Sequence, residues 1–156
     1  MTPAVQALKR AGVDFTLLEY AHDPASPAYG EEAARMLGLA PDSVFKTLLA
    51  RVDGKRLAVA IVPVSGMLDL KALARVANGK KAAMADAADA ERATGYVVGG
   101  ISPLGQKQRL ATYMDSSAAQ FERIHVSAGR RGLEIALAPA DLVRLTGASL
   151  AALARQ

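Results

Sequence analysis

A glycine-rich segment with the sequence GGISPLGQKQ, residues 99–108, contains the residue types of a phosphate-binding loop. Gly100 and Gly105 have the separation of the two glycines in the G-x-x-x-x-G-K-[ST] motif, but the match ends there. Gln106 stands where the motif needs lysine, Lys107 comes one residue late, and no serine or threonine follows to hold magnesium. The sequence therefore nearly excludes a nucleotide-hydrolysing P-loop.

Two other interpretations of this segment remain open. Gly99 and Gly100 let the backbone approach a ligand closely, and Pro103 stiffens the loop. Such a loop can offer free N–H groups to an anion or to a carbonyl oxygen. The alternative is a glycine-rich turn between two strands, and the spacing alone favours that turn.

One lysine, Lys46, lies inside the apolar stretch VFKTLL, which is typical of a buried or half-buried strand. An ammonium group on such a strand is costly unless it reaches water or an anion. Alternation places Phe45 and Thr47 on the opposite face, so Lys46 either points to solvent or lies at an anion site. The pattern alone favours solvent slightly and leaves both open.

The sequence offers few nucleophiles or metal ligands. Cysteine is absent, which excludes disulfides, thiolate ligands and a cysteine nucleophile. The two histidines, His22 and His125, lack metal-ligand spacing, so we expect neither a metal site nor a cofactor. His125 and Ser127 share one face of a predicted strand, but no G-x-S-x-G elbow accompanies them, so a catalytic triad is not indicated.

The chain length and composition predict one domain spanning residues 1–156. Hydrophobic residues make up 51% of the chain and aromatic residues only 4%, so the core must be built from alanine, leucine, valine and isoleucine. No apolar run reaches the roughly 18 residues of a membrane span, and the first residues do not resemble a signal peptide. We therefore expect a cytoplasmic protein with no membrane partner.

The formal net charge is +4, and the basic residues occur in pairs spread along the chain. A mixed, solvated surface and a polyanion-binding face are both consistent with this distribution. The pairs are Lys9-Arg10, Lys55-Arg56, Lys80-Lys81, Lys107 with Arg109, and Arg130-Arg131.

Helices and strands alternate in the first half of the pattern, and strands cluster later. Thr2, Pro3 and Gly12 predict the start and end of a first helix, and the dipeptide Asp53-Gly54 predicts a hairpin. The remaining predicted helices and strands are helices over 31–37, 69–78, 86–95 and 139–147, and strands over 14–20, 80–85, 96–98, 109–115, 121–129 and 132–137. This order predicts an α+β fold with a mixed, curled, barrel-like sheet flanked by helices.

Several of these segments occur in the same order in one known family. TPAV, YAHDP, VFKTLL, VPVSGMLDLK, TGYVVGGISPLGQK, VSAGRRGLEI and ADLVRLTGA together resemble the YbaK/EbsC family of free-standing aminoacyl-tRNA deacylases. The resemblance covers nearly the whole chain and is greatest to the Cys-tRNA(Pro) deacylases. It implies the fold of the editing insertion of prolyl-tRNA synthetases.

The resemblance also implies a function. A synthetase pocket cannot strongly reject an amino acid close in size to its own substrate, so mischarged Cys-tRNA(Pro) must be cleared at a second site. Family members are thought to let the thiol of the substrate cysteine attack its own ester, which requires the enzyme to supply only geometry and charge stabilisation. The implied partners are mischarged tRNA and prolyl-tRNA synthetase, and Cys-tRNA(Cys) is a further substrate.

The resemblance assigns roles residue by residue. The residues implied in catalysis are Lys46, Gly99, Gly100 and Ser102. The residues implied in substrate binding are Tyr20, Tyr29, Thr47, Ile101, Pro103, Ser127 and Glu134. Tyr29 stands where relatives commonly have phenylalanine, and Glu134, longer by one methylene, stands where aspartate is common.

Two alternatives to this function stay open. The first is the same chemistry on another mischarged tRNA, such as Ala-tRNA(Pro). The second is a non-catalytic RNA-binding or synthetase-associated adaptor, which would keep the basic pairs but would not need Lys46 or the Gly99–Pro103 loop.

Overall fold

A computed structural model describes residues 1–26 and 29–156 as a mixture of short helices and three β-sheets. The helices are α1 (Pro3–Ala11), α2 (Tyr29–Leu37), α3 (Leu70–Val76), α4 (Ala87–Thr94) and α5 (Pro139–Thr146), with 3-10 turns at Pro41–Ser43 and Ser116–Gln120. The strands are β1 (Phe15–Glu19), β2 (Phe45–Val52), β3 (Arg56–Pro63), β4 (Met67–Leu68), β5 (Ala82–Met84), β6 (Ala111–Asp115), β7 (Ile124–Arg130), β8 (Leu133–Leu137), β9 (Ser149–Ala151) and β10 (Ala154–Arg155).

Local signals fix the first helix and the central hairpin as the sequence predicts. The Thr2 side chain accepts a hydrogen bond from the backbone N–H of Val5 at 3.2 Å, and Gly12 ends α1 in the left-handed conformation. Asp53 and Gly54 both have positive φ, which matches the right-handed twist of the flanking strands. The pairing of β2 with β3 places Lys46 opposite Val62.

The strands of the described residues form three sheets that share no strand. The largest has the order β5-β2-β3-β6-β9, with β3-β6 and β6-β9 parallel and the other pairs antiparallel. The second is the antiparallel sheet β1-β8-β7, and the third is the short pair β10-β4. The α+β prediction is confirmed.

The barrel-like closure predicted from the sequence is not observed among the described residues. The five-stranded sheet ends on β5 and β9, and β7 meets the beginning of β2 only through the bridge between Val44 and His125. A barrel requires a continuous hydrogen-bonded ladder around the closed sheet. Here side-chain packing joins the five-stranded sheet to the three-stranded sheet. The interior between them is filled by aliphatic side chains such as Leu49, Ile61 and Ile135.

The predicted strand over Tyr96–Val98 is absent, and this prediction was wrong. Gly95 and Gly99 flank the three residues with φ of +82° and +96°, so too little extended backbone remains to pair with a sheet. The N–H of Val98 instead donates to a Glu91 carboxylate oxygen at 2.8 Å. Helix α2 also begins two residues earlier than predicted, at Tyr29.

No helix in the described residues is long and apolar enough to cross a bilayer. The same residues contain no cluster of three histidine, aspartate or glutamate side chains that could hold a metal ion.

Candidate active site

A cavity of about 300 Å³ opens between β2, the β7–β8 hairpin, the first residues of α2 and the loop that follows α4. We call it the main cavity. Eight of the eleven site residues predicted from the resemblance line it, although they come from elements far apart in the sequence. These are Tyr20, Tyr29, Lys46, Thr47, Gly99, Ile101, Ser127 and Glu134.

The other three predicted site residues lie outside the lining of the main cavity. The Ser102 side chain is fully buried, and its hydroxyl oxygen accepts a hydrogen bond from the Leu104 N–H at 3.2 Å. Pro103 lines a separate depression beside α1. The N–H of Gly100 donates to the Val97 carbonyl oxygen at 2.9 Å. These three residues belong to the loop that carries Gly99 but do not face the main cavity.

Strand β2 contributes a cation and a hydroxyl group to the main cavity. Lys46 is half-buried and lines the cavity. The buried Thr47 hydroxyl oxygen has no hydrogen-bond partner among the described residues. Buried hydroxyl groups are nearly always paired, so this oxygen marks a place where a bound molecule can supply a partner.

Strands β7 and β8 bring Ser127 and Glu134 directly opposite each other. Glu134 is only 7% exposed, and its Oε2 finds no partner among the described residues. Burial raises the pKa of its carboxyl group to about 8. At neutral pH Glu134 is therefore a protonated acid, which can donate as well as accept a hydrogen bond.

Arg131 in the β7–β8 turn is a site residue that the sequence reasoning missed. Its guanidinium carbon lies 4.0 Å from the centre of the Tyr29 ring, and Nη2 donates to the Ser26 carbonyl oxygen at 3.1 Å. The buried Nε has no partner within the described part of the chain. The sequence feature that could have identified Arg131 is its position, because Arg130-Arg131-Gly132 joins the two strands that carry Ser127 and Glu134.

The loop around Gly99 fits against this stacked pair. A methyl group added at Gly99 would lie 3.1 Å from Arg131 Cδ and 3.1 Å from two carbons of the Tyr29 ring. The φ of +96° is one that side-chain-bearing residues rarely adopt. Glycine at position 99 is therefore favoured both by the backbone conformation and by the close approach of Tyr29 and Arg131.

A hydrogen bond between a histidine and a buried glutamate braces the segment that follows Tyr20. His22 Nδ1 lies 2.7 Å from Glu32 Oε1 in α2, and the Asp23 N–H donates to Glu32 Oε2 at 2.9 Å. The Tyr20 N–H donates to the Gly132 carbonyl oxygen at 3.0 Å, which ties β1 to the turn that carries Arg131. Burial raises the pKa of the Tyr20 phenol, so it remains a hydrogen-bond donor at neutral pH.

His125 is separate from this site. Its Nδ1 lies 3.2 Å from the Ser43 carbonyl oxygen, and the ring is not part of the main cavity lining. The sequence-based conclusion that His125 and Ser127 do not form a catalytic pair is consistent with this placement. No histidine lines the main cavity among the described residues, and the chain has no cysteine.

The arrangement can bind and polarise a small polar group, but it offers no thiolate or histidine-activated nucleophile. Lys46 and Arg131 provide positive charge, while Thr47, Ser127 and the neutral acid Glu134 provide hydrogen-bonding groups. Such preorganised groups stabilise charge that develops on a carbonyl oxygen. The cavity is thus suited to reactions in which the attacking atom belongs to the substrate or to water.

Comparison with known proteins identifies the relatives of this chain. The model of the aminoacyl-tRNA editing domain matches residues 23–145. An Enterococcus faecalis protein, assigned as the Cys-tRNA(Pro)/Cys-tRNA(Cys) deacylase EbsC, is 40% identical over 121 residues, which cover 78% of this chain and 74% of the relative.

Two solved structures share the fold. One, described as a trans-editing enzyme for prolyl-tRNA synthetase, is 24% identical with a TM-score of 0.82, and the alignment covers 100% of this chain and 99% of that one. The other, a hypothetical protein, is 23% identical with a TM-score of 0.87, with coverage of 99% and 100%. At these identities the likeness shows the fold alone, whereas the family model and the Enterococcus relative show the family. The chain belongs to the aminoacyl-tRNA editing family that includes YbaK and EbsC.

Proposed function

We propose that this protein clears cysteine from mischarged Cys-tRNA(Pro), and also accepts Cys-tRNA(Cys), by cleaving the ester between the amino acid and the tRNA. The observation that carries the proposal is the chemistry of the main cavity. It is small, mostly apolar and lined by cations, and within the described part of the chain it contains buried polar atoms without partners but neither cysteine nor histidine. The name of the Enterococcus relative supports cysteine as the amino acid.

In this proposal the aminoacyl group enters the main cavity and the terminal adenosine lies at its opening. Lys46 contacts the 3′ end of the tRNA, where its charge complements a phosphate. The hydroxyl groups of Thr47 and Ser127 and the protonated carboxyl of Glu134 face the amino acid. The unpaired Thr47 and Glu134 oxygens support these roles, because a ligand would relieve their lack of partners.

The proposed cleavage uses the thiol of the substrate. The sulfur, after losing its proton to water, attacks the ester carbonyl carbon, and a C–S bond forms. The C–O bond then breaks, and the departing 3′ oxygen of the tRNA takes up a proton. The product is a cyclic thiolactone, which water subsequently opens to free cysteine.

The Gly99 loop contributes geometry to this step. Because the Gly100 N–H is already bonded to Val97, the Gly99 N–H, which has no partner among the described residues, is the better candidate donor to the carbonyl oxygen. A donor fixed before the reaction costs no reorganisation when negative charge develops. The stacked Tyr29 and Arg131 hold the loop in place.

Direct attack by water is the competing route, and the amino acid distinguishes the two. Serine has the shape of cysteine without the thiol, and alanine lacks the reacting group altogether. Purified protein should be mixed in excess with Cys-tRNA(Pro), Ser-tRNA(Pro) and Ala-tRNA(Pro), and the loss of each ester compared with its loss in buffer. We expect rapid loss of cysteine and near-background loss of the other two.

Other outcomes of this experiment would support a different function. Comparable loss of serine would favour water as the nucleophile, and preferred loss of alanine would make Ala-tRNA(Pro) the substrate. If no ester is cleaved faster than in buffer, the non-catalytic adaptor becomes the favoured function. We also propose that prolyl-tRNA synthetase delivers the substrate, so adding that synthetase should increase the rate on Cys-tRNA(Pro) more than on Cys-tRNA(Cys).

A further inference from the structure

A second cavity of about 260 Å³ adjoins the main cavity, and we call it the side cavity. The two share three lining residues: Val98, Arg130 and Arg131. Gly99 lines the main cavity, whereas Gly100 lines the side cavity. A chain that leaves the main cavity past Gly99 would therefore reach the side cavity directly.

The boundary between the cavities is a close contact between two backbone segments. A methyl group added at Gly100 would lie 2.7 Å from the Cα of Arg130. Arg130 lines both cavities at this boundary.

The side cavity is positively charged. Among residues 1–26 and 29–156, Arg130 and Arg131 are its charged lining residues, and no aspartate or glutamate lines it. Arg130 is exposed and makes no ion pair or side-chain hydrogen bond with residues 1–26 or 29–156. A guanidinium group free of carboxylates beside a cavity complements a phosphate.

The rest of the side cavity wall is apolar. Val97 is 71% exposed, and Val98 is exposed beside it. The Tyr96 ring lies beneath them, with its hydroxyl group donating to the Leu104 carbonyl oxygen at 2.6 Å. An exposed apolar surface next to an arginine can pack against a nucleotide base while the guanidinium group contacts its phosphate.

We propose that the side cavity binds the nucleotide preceding the terminal adenosine of the aminoacylated RNA. Arg130 contacts the phosphodiester that links the two nucleotides, and the base packs against Val97 and the wall over Tyr96. The inference rests on the proposed function, since it places the terminal adenosine at the main cavity. Its consequence is that the protein distinguishes an RNA 3′ end from an isolated aminoacyl nucleoside.

The first test compares two cysteine esters that differ only in the attached RNA. These are 3′-cysteinyl-adenosine and a cysteinylated microhelix ending in CCA. We expect the wild-type kcat/KM to be higher for the microhelix. Arg130→Ala should reduce that advantage by about tenfold, chiefly through KM, and Arg130→Lys should restore part of it. The slope of log affinity against log salt should become shallower by about 0.7 in Arg130→Ala.

Arg75→Ala is the matched control, because Arg75 is an exposed arginine on α3 that lines neither cavity. It should leave both esters unaffected. Val97 supplies a second, independent pair of variants. Val97→Asp adds a negative charge at the side cavity and should weaken microhelix binding, while the nearly isosteric Val97→Asn should weaken it much less.

The outcomes separate the two proposals. Equal losses on both esters in Arg130→Ala, or an equal kcat/KM of the wild type for both esters, would overturn the side-cavity assignment while leaving the deacylase intact. If the wild type cleaves neither ester, the proposed function fails. The side cavity is then judged by fluorescence anisotropy with uncharged CCA-ended microhelix, where equal affinities of wild type and Arg130→Ala would reject it.

Discussion

Ser127 and Glu134 are direct cross-strand partners in β7 and β8, and both side chains line the main cavity. The pairing places a hydroxyl group and a buried carboxyl group side by side on one wall. Because burial raises the pKa of Glu134 to about 8, this wall is uncharged at neutral pH. Glu134 therefore does not neutralise the positive charge that Lys46 and Arg131 bring to the same cavity.

The raised pKa of Glu134 makes stability depend on pH. The unfolded carboxyl group loses its proton near its ordinary value of 4.5, while the folded one keeps it to about pH 8. The folded state thus binds more protons in this interval, and its advantage, complete below pH 4.5, is lost as pH rises to 8. Glu134→Gln should remove this contribution, so its melting temperature should fall less between pH 5 and 8 than that of the wild type.

Thermal unfolding is the appropriate measurement for this prediction, because the thiol of a cysteine substrate titrates near pH 8.5 and would confuse an activity profile. Parallel pH curves for the wild type and Glu134→Gln would contradict the raised pKa.

Lys46→Ala should abolish most of the deacylase activity with little effect on folding. The ammonium group lines the main cavity from the half-buried face of β2, so its removal takes away a charge near the 3′ end of the substrate. We expect kcat/KM to fall by about a hundredfold or more, with a change of about 0.5 kcal/mol in stability. Single-turnover rates and urea unfolding of the same preparation measure both.

Lys55→Ala is the control for Lys46, since Lys55 is exposed and lies at the turn between β2 and β3, outside the main cavity. It should behave as the wild type. A folded Lys46→Ala protein that retains wild-type turnover would refute the assignment of this lysine.

Gly99→Ala should impair catalysis more than stability. The new methyl group must displace the Tyr29 ring and Arg131, each 3.1 Å away, while the backbone keeps a φ of +96°. Loss of an aligned N–H donor costs about a hundredfold in rate, and the backbone strain costs about 1–2 kcal/mol.

Gly38→Ala separates the two effects of that substitution. Gly38 also has a positive φ, of +67°, but no atom lies within 4 Å of the added methyl group. It should lose comparable stability and keep full turnover once folded. If Gly99→Ala shows the same behaviour as Gly38→Ala, the loop serves only as a turn.

Asp115 should contribute strongly to folding stability, because it anchors the last residues of the chain. Its Oδ1 accepts hydrogen bonds from the N–H groups of Leu153 and Ala154, both at 2.8 Å. Burial acts to raise the pKa of Asp115, but hydrogen bonds from Ser117 and these two residues outweigh it and lower the pKa below 3.8. Asp115→Asn should cost about 2 kcal/mol of unfolding free energy near neutral pH.

The sign of the Asp115 effect with pH is opposite to that of Glu134. Because the folded pKa is depressed, its contribution is present above pH 3.8 and disappears as pH falls through the folded value. The stability difference between wild type and Asp115→Asn should therefore shrink in strong acid. Asp14→Asn, which removes a surface ion pair to Arg123, should cost less than about 1 kcal/mol, and a larger loss there would undermine the comparison.

The sequence by itself determined the local elements and the excluded chemistries. The cap at Thr2 and the turn at Asp53-Gly54 depend on a few adjacent residues, so they form as predicted. The absence of cysteine excluded thiol nucleophiles, and the misplaced Lys107 nearly excluded a P-loop, without any structure. The order of the longer motifs identified the family, which the family model then confirmed.

Only the tertiary structure decided which chemical groups meet and in what environment. Lys46 belongs to one sheet and Glu134 to another, and packing of the two sheets brings both to one cavity. The pKa of Glu134 depends on its burial, and the role of Arg131 depends on its contact with the Tyr29 ring. Neither can be inferred from the residues adjacent in the sequence. The apolar Tyr96–Val98 segment has the composition of a strand, but the positive φ of the glycines on both sides and the hydrogen bond from Val98 to the Glu91 side chain place it in a loop.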